Sequence, residues 1–410
     1  MPQPSKSPLL VAFITIFLDL LGFGIIIPIL PFFTKSLGAS PTLITLLAAS
    51  YSLMQFLFSP FWGYLSDKRG RRPIMLSSIF ISGIGYFIFA SATQIWVLFF
   101  ARSLSGFGNA NLGTAQAIIS DSTSGEERSK GMGLIGAAFG LGFSFGPAIG
   151  AFLSQYSPQT PIYAAGILSF GNLILTYFIL PETKDQSIQP QGMNKVFNTQ
   201  LLQQAKEYTN LIPIFIISFI GTVAFSQIEQ IIALFIEAIW IPDTLLEEEK
   251  IKMAARYTGY YLTIIGVMAA IIQGGLIGRL NKRFGEVKLI QSGLVIIMTA
   301  IVIIPFIGAT KSFALLLISG PYLALGTSIL NPSKSSLISR SIPPHLQGTM
   351  LGLNQSFSSL GRVIGPSVAG VLFELSLNIP FYVGAGMMLP AIWWSLSLRS
   401  PHQEELLEED

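Results

Sequence analysis

Asp19, Arg102, Glu229, Lys334 and Arg362 each stand inside an otherwise apolar run. A charged side chain in hydrocarbon costs about 2.5–3.5 kcal/mol on insertion scales, so such residues face a protein interior or a wetted path and mark ion or substrate routes. Asp19 lies about ten residues from the inner end of its run, on the order of 15 Å deep at the helical rise. A carboxyl at that depth can carry a proton, and Arg102 can tune it if their helices are neighbours. The plainer alternative is a static ion pair. Glu229, within Gln227-Ile228-Glu229-Gln230, reads either as a second proton or cation site or as a carboxylate wetted in an outer cavity. Arg362 must find a carboxylate, a carbonyl or an anionic substrate, and simple structural pairing is the first reading. Asn109, Asn111, Gln116, Gln227, Gln230, Tyr322 and Asn331 can line a cavity with hydrogen-bonding groups. Lys334 is near the inner end of its run, where a long side chain can snorkel. Cysteine is absent, and the two histidines, His345 and His402, fall in a loop and in the tail. Thiolate chemistry is thereby excluded and a histidine metal site disfavoured. The chemistry on offer is proton transfer and ligand binding without a cofactor; the chain does not read as an enzyme.

These residues need elements that cross a membrane. At 51% hydrophobic and 11% charged, a chain of 410 residues cannot hide its apolar side chains in an ordinary water-soluble core. Roughly 20 residues per span plus connections gives about twelve helices. Continuous runs such as 211–225 do not alternate, which argues against a barrel. The spans are expected near 9–33, 42–64, 74–91, 95–120, 131–155, 162–180, 211–236, 257–277, 289–307, 313–338, 350–373 and 380–398. This divides the chain into a six-helix half over 1–180, a polar linker over 181–210, a second six-helix half over 211–398 and an acidic tail over 399–410. Gly22, Gly24, Pro28 and Pro31 punctuate the first span, and such breaks survive only where neighbours or water satisfy the freed backbone. Lys68, Arg69, Arg71, Arg72, Arg279, Lys282, Arg283 and Arg340 fall on one side, which places that side and both termini in the cytoplasm. The net charge of +3 is thus a topology signal, and no nucleic-acid partner is implied.

Two spacings recur. Span five reads Gly133, then Gly142 and Gly146-Pro147; span eleven repeats the intervals with Gly352, Gly361 and Gly365-Pro366. Small residues let helices approach closely, and the shared intervals indicate two halves related by duplication. The stretch Gly63-Tyr-Leu-Ser-Asp67-Lys68-Arg69-Gly70-Arg71-Arg72-Pro73 reads as a tight cytoplasmic turn between spans two and three, with Gly63 and Gly70 permitting it. Gly278 to Gly285 echoes its frame.

That loop resembles the one between helices two and three of the major facilitator superfamily. Arg102-Ser-Leu-Ser-Gly106-Phe-Gly108 looks like the family's R-x-x-x-G-x-G signature, and Gly133 to Ala151 is similar to the glycine-proline signature of its drug/proton antiporters, with Ala151 replacing a final glycine. Leu18 to Pro31 resembles span one of the tetracycline-efflux branch. One position departs: those exporters carry an acid just before a tyrosine in span three, where this chain has Gly85-Tyr86. The resemblance implies an all-α, twelve-helix secondary transporter, monomeric in the bilayer of a bacterial inner or plasma membrane. It would export small amphipathic compounds in exchange for protons by alternating access. Asp19, Arg102 and Glu229 would couple to protons, and Asp67 with Arg69, Arg71 and Arg72 would gate. An uptake or facilitative carrier for a metabolite, or a sensor or scaffold on the same fold, remain as alternatives.

Overall fold

The computed structural model of the protein describes residues 7–122, 138, 141–142, 145–184, 199–343 and 346–399. Gly133, linker residues 185–198, His345 and the tail beyond Arg399 lie outside the described residues. All described elements are helical, and nine of the described helices are long and apolar enough to cross a membrane. The chain groups into two compact units, one of residues 1–40 and 50–197, the other of residues 41–49 and 198–410.

In the first unit, the initial span breaks in two. Helix α1 (Ser7–Ile26) stops at a turn over residues 27–29, and α2 (Leu30–Ser36) follows. Pro28 has no N–H to continue the ladder, and its ring would collide with the carbonyl of Gly24. Instead, Ile27 N–H bonds Gly24 O at 3.3 Å and Ile29 N–H bonds Ile26 O at 3.0 Å. Next come α3 (Pro41–Arg69), whose residues 41–49 group with the second unit, and α4 (Arg71–Ala90), separated by the single residue Gly70 with φ of 106°. The tight turn expected from Gly63 onward is therefore shorter than its sequence suggested. Gly63 lies inside α3, and a Cβ there would meet nothing within 4 Å, so only Gly70 supplies turn geometry.

The fourth span is also broken. Helix α5 (Ile95–Gly108) ends, Asn109-Ala110-Asn111 form a turn, and α6 (Leu112–Ser122) resumes. The freed carbonyls at this break are not left bare: Trp62 Nε1 donates to Phe107 O at 2.6 Å and Gln55 Nε2 to Asn109 O at 3.1 Å, both from α3. Residues 145–153 are helical and are labelled α7; α8 (Thr160–Ile179) completes the unit. A core of Val11, Ile16, Met75, Ile79, Ile118 and Ile119 joins α1, α4 and α6.

In the second unit, α9 (Thr199–Ala205) is short and α10 (Leu211–Trp240) is continuous. Helix α11 (Glu247–Ile271) passes through a π-helical turn, Ile272–Leu276, into α12 (Ile277–Phe284). Then come α13 (Glu286–Thr310), α14 (Phe313–Arg340), α15 (Gln347–Leu375) and α16 (Ile379–Ser395). Gly285, with φ of 76°, separates α12 from α13 as Gly70 separates α3 from α4. The duplication read from the glycine intervals extends to packing. In one unit α4 packs on α5 and α8, and α1 on α8; in the other α13 packs on α14 and α16, and α10 on α16. Large apolar side chains such as Phe178, Ile318 and Trp393 stand exposed, as a chain solvated by lipid requires.

Candidate functional site

The site of the first unit grows out of the break in span four. Arg102 and Gly106 are four residues apart on α5 and share one face. Gly106 lies so close to α3 that a Cβ would come within 2.9 Å of Tyr51 Cα, and Gly108 would meet Ser82 N at 2.6 Å on α4. These two glycines let α5 settle against α3 and α4, and Arg102 is thereby laid over the Tyr51 ring at 4.5 Å from its centroid. Phe23 and Phe89 stand at 5.7 and 5.9 Å.

One turn further on, the break turns two asparagines inward. Asn109 Nδ2 donates to Tyr51 OH at 2.9 Å and to Tyr86 OH at 3.2 Å, while its Oδ1 accepts from Ser82 Oγ at 2.6 Å. Asn111 Nδ2 donates to Asp19 Oδ2 and to Ser78 Oγ, both at 3.1 Å. Both asparagines are buried, and a buried amide left without partners costs about 1–3 kcal/mol, so the network is a strong local constraint.

This arrangement speaks against the static ion pair that the sequence left as the plainer alternative. Among the described residues no ion pair joins Asp19 to Arg102: the half-buried carboxylate rests on an amide, and the guanidinium rests on aromatic rings. Gln116, on α6, is half-buried and takes no part in the network. Tyr51, Gln55, Ser78, Ser82 and Tyr86 were not singled out by sequence, although Gln55 is the only amide in its span and was the available signal.

Gly85 explains the departure from the tetracycline-exporter pattern. A Cβ there would meet Ser105 Oγ, Ser105 N at 2.9 Å and Ala101 O at 3.1 Å, so no side chain fits between α4 and α5. Gly85→Asp is therefore expected to destabilise by about 1–3 kcal/mol, the range typical of overpacking. Monodisperse yield on fluorescence-detected size exclusion should fall, and wild-type yield and melting would count against the close approach.

At the turn between α3 and α4, Arg71 Nη1 bonds Asp67 Oδ1 and, at 2.8 Å, Ser66 Oγ, while its Nε bonds Asp121 Oδ2 at 2.9 Å. Arg72 turns away to the Tyr177 carbonyl at 2.6 Å and does not partner Asp67; Arg69 is exposed. Helix α4 begins after a glycine with no capping side chain. The missing acceptor comes from Glu182, which takes Arg71 N–H at 2.8 Å and Arg72 N–H at 3.3 Å. A carboxylate at a helix N-terminus satisfies orphan donors and the dipole together. Asp121 and Glu182 were missed because neither lies in the loop itself. In the second unit the same place carries the opposite charges. Glu286, immediately after Gly285, bonds Arg340 Nη1 and Ser336 Oγ, each at 2.9 Å.

The second unit's remaining candidates are less tightly joined. Glu229 stands on α10, Lys334 on α14 and Arg362 on α15. Lys334 is 5% exposed, so it is buried and does not snorkel. Gln227 Nε2 reaches Met387 Sδ at 3.4 Å, and Gln230 is buried. Tyr322 is exposed and bonds Thr299 Oγ1 at 2.9 Å, and Asn331 is exposed; neither gathers with Glu229.

The glycine-proline segments lie against helix backbones. A Cβ at Gly142 would stand 2.6 Å from Leu20 Cβ, and one at Gly146, beside Pro147, 2.7 Å from Gly24 Cα, both on α1. In the second unit, Gly361 would meet Phe219 O at 2.9 Å and Gly365, beside Pro366, would meet Ser226 Oγ, both on α10. Gly352 differs, since a Cβ there meets nothing within 4 Å. Its place in the repeated interval is therefore not matched by close packing.

Among the described residues no group of acidic or histidine side chains is placed to hold a metal. The sequence matches the Major Facilitator Superfamily over residues 12–323 and 249–410, two overlapping stretches. The class C tetracycline resistance protein of Escherichia coli is 30% identical over 394 residues, covering 94% of this chain and 95% of that protein. The quinolone resistance protein NorA of Staphylococcus aureus is 27% identical over 406 residues, covering 99% and 100%. The crystal structure of the human organic anion transporter MFSD10 matches with a TM-score of 0.72 at 23% identity, covering 96% of this chain and all of that one, a likeness of fold. With its repeated half, its broken first and fourth spans and a family match running over most of its length, this chain is a multipass membrane protein that belongs to the Major Facilitator Superfamily.

Proposed function

We propose that the protein is a twelve-helix exporter with both termini in the cytoplasm, moving small amphipathic compounds out of the cell in exchange for protons by alternating access. The observation that carries this reading is the setting of Asp19. Its carboxylate accepts from Asn111 at the break of span four and has no cationic partner among the described residues, so it can gain or lose a proton without breaking an ion pair. The relatives named for tetracycline and quinolone resistance support export of drug-like compounds. The narrow space at Gly85 leaves no room for the acidic side chain that the tetracycline-exporter pattern has there. The experiment is reconstitution into liposomes with a pH-sensitive dye inside, challenged with a panel of amphipathic compounds. Proton movement that depends on compound and protein supports exchange; compound movement without it favours the facilitative alternative.

The loop around Gly70 is proposed as the gate. Asp67, Arg71 and Asp121 form one hydrogen-bonded group on the ends of α3, α4 and α6, and Glu182 ties the start of α4 to the end of the first unit. Asp67→Asn keeps the shape and removes the charge-assisted bond. Turnover is expected to fall several-fold while membrane accumulation stays normal. Wild-type turnover at wild-type abundance would leave Asp67 without a gating role.

A further inference from the structure

A glycine inside a helix usually has one of two static reasons: a neighbour so close that no Cβ fits, or a left-handed backbone. The adjacent pair Gly274-Gly275 has neither. A Cβ at either would meet nothing within 4 Å, both stand exposed, and neither has a positive φ. Gly146 and Gly365, by contrast, press on helix backbone. The pair sits inside Ile272–Leu276, where α11 passes through its π-helical turn into α12. A π turn closes wider hydrogen-bonded rings than the helix on either side and is a common seat of bending. Two consecutive glycines, each less favourable in a helix than alanine, weaken the same turn again.

What lies beyond the turn is free to follow it. Helix α12 has no buried residue, and among the nine apolar helices the one over Glu247–Phe284 is the least buried. Among the described residues, the side-chain bonds that hold this stretch to α14 are Gln273 Nε2 to Ser328 Oγ, long at 3.4 Å, and Ser333 Oγ to Asn281 Oδ1 at 3.0 Å. Gly285, with φ of 76°, ends α12, so this eight-residue helix has a loosened joint at each end. The other repeat weakens its helix at the same place. When the frames Gly63 to Gly70 and Gly278 to Gly285 are matched, Gly275 corresponds to Pro60, each three residues before the leading glycine. Pro60 lies inside α3, where it has no N–H to give to the helical ladder. Proline and glycine have little in common except that both weaken an α-helix, and here they hold equivalent positions of the duplicated halves.

We propose that the π turn at Ile272–Leu276 is a hinge, and that α12 swings about it as a rigid arm when the protein passes between its access states. The states that the hinge joins rest on the transport reading above; the bending itself does not. Gly274 and Gly275 supply the backbone freedom, and the open space around them lets the turn change shape without displacing a packed neighbour.

The chain has no cysteine, so Tyr260→Cys on α11 and Lys282→Cys on α12, both at exposed positions, give the full-length protein a unique pair of spin labels about 33 Å apart at the helical rise. A reference pair within α11, Glu249→Cys and Val267→Cys, gives the spread due to the labels alone. Double electron-electron resonance in lipid nanodiscs should show a broader or two-peaked distance across the π turn. In Gly274→Ala/Gly275→Ala the added Cβ atoms have room and alanine favours the regular helix, so the melting temperature should hold or rise and the distance should narrow to one peak. Proton movement driven by ethidium, tetraphenylphosphonium or naphthaleneacetate should slow about fivefold in that variant. Gly386→Ala, at an exposed and open glycine of α16, should change neither distance nor rate. A wild-type distribution no wider than the reference overturns the hinge. A spread that survives unchanged in the alanine pair overturns the glycines as its seat, and a narrowed spread with wild-type proton movement overturns its part in the cycle. If the alanine pair does not accumulate, Gly275→Ala alone takes its place, and the wild-type distribution still decides. A wide distribution in a protein that moves no protons with any of the three compounds sinks the export reading and leaves the joint standing. Proton-coupled export with a narrow distribution does the reverse.

Discussion

Asp19→Asn is expected to abolish uphill, proton-driven export while the protein still reaches the membrane folded. The replacement has nearly the same shape, and its carbonyl oxygen can accept the Asn111 Nδ2 bond now made at 3.1 Å to the carboxylate, so the network through Ser78 keeps its acceptor. What is lost is the change of charge. In a cycle open to one side and then the other, a carboxyl carries a proton inward only if it can release it, and an amide cannot. One elementary charge crossing the membrane is worth about 2.3 kcal/mol per 100 mV, so removing it takes away the drive while leaving downhill exchange of a neutral compound open. Concentration of substrate against a gradient, followed across a range of pH in vesicles, is the measurement. Uphill export with the wild-type pH dependence would take Asp19 out of the mechanism and shift the bet to Glu229, the other carboxylate in an apolar run.

Gly146→Val is expected to damage transport strongly. The added Cβ alone would lie 2.7 Å from Gly24 Cα, 2.8 Å from Gly24 C and 3.0 Å from Ile25 N. All three are backbone atoms of α1, so no side chain can swing aside and the helices must part. They would part about one helical turn beyond Asp19, moving the carboxylate relative to Asn111. Overpacking of this kind costs about 1–3 kcal/mol and would also hinder any rocking of α7 against α1. Transport is expected to fall at least about tenfold, the factor that corresponds to 1.4 kcal/mol. Gly352→Val is the matched control. Its Cβ meets nothing within 4 Å, so near-normal transport is expected from this glycine of the repeated series, which does not pack closely. Equal loss in both variants would show that side-chain bulk in these helices, rather than the approach of α7 to α1, was being measured.

Much of the architecture can be read without coordinates because it depends on local, periodic properties. Runs of apolar residues determined where membrane helices form, and Pro28 marked the break that separates α1 from α2. The glycine intervals of 133–147 and 352–366 determined that the halves are related. Asp19, Arg102, Glu229 and Arg362 were visible for the same reason: charge in an apolar run is costly wherever it points. The break at Asn109 to Asn111 was not visible, since no proline marks it and the carbonyls it frees are met by Trp62 and Gln55, more than 40 residues away. Partner choice was likewise decided only by the tertiary structure. Helix rotation and the close seating of Gly106 and Gly108 laid Arg102 on Tyr51 and left Asp19 to Asn111, and they brought Glu182 to cap a helix that begins 111 residues earlier. Hydropathy is a property of a segment, whereas a hydrogen bond between segments is fixed by how far each helix is turned and how closely small residues let it approach. That is why the chain by itself determined which residues carry chemistry, and only the packed helices decided which of them act together.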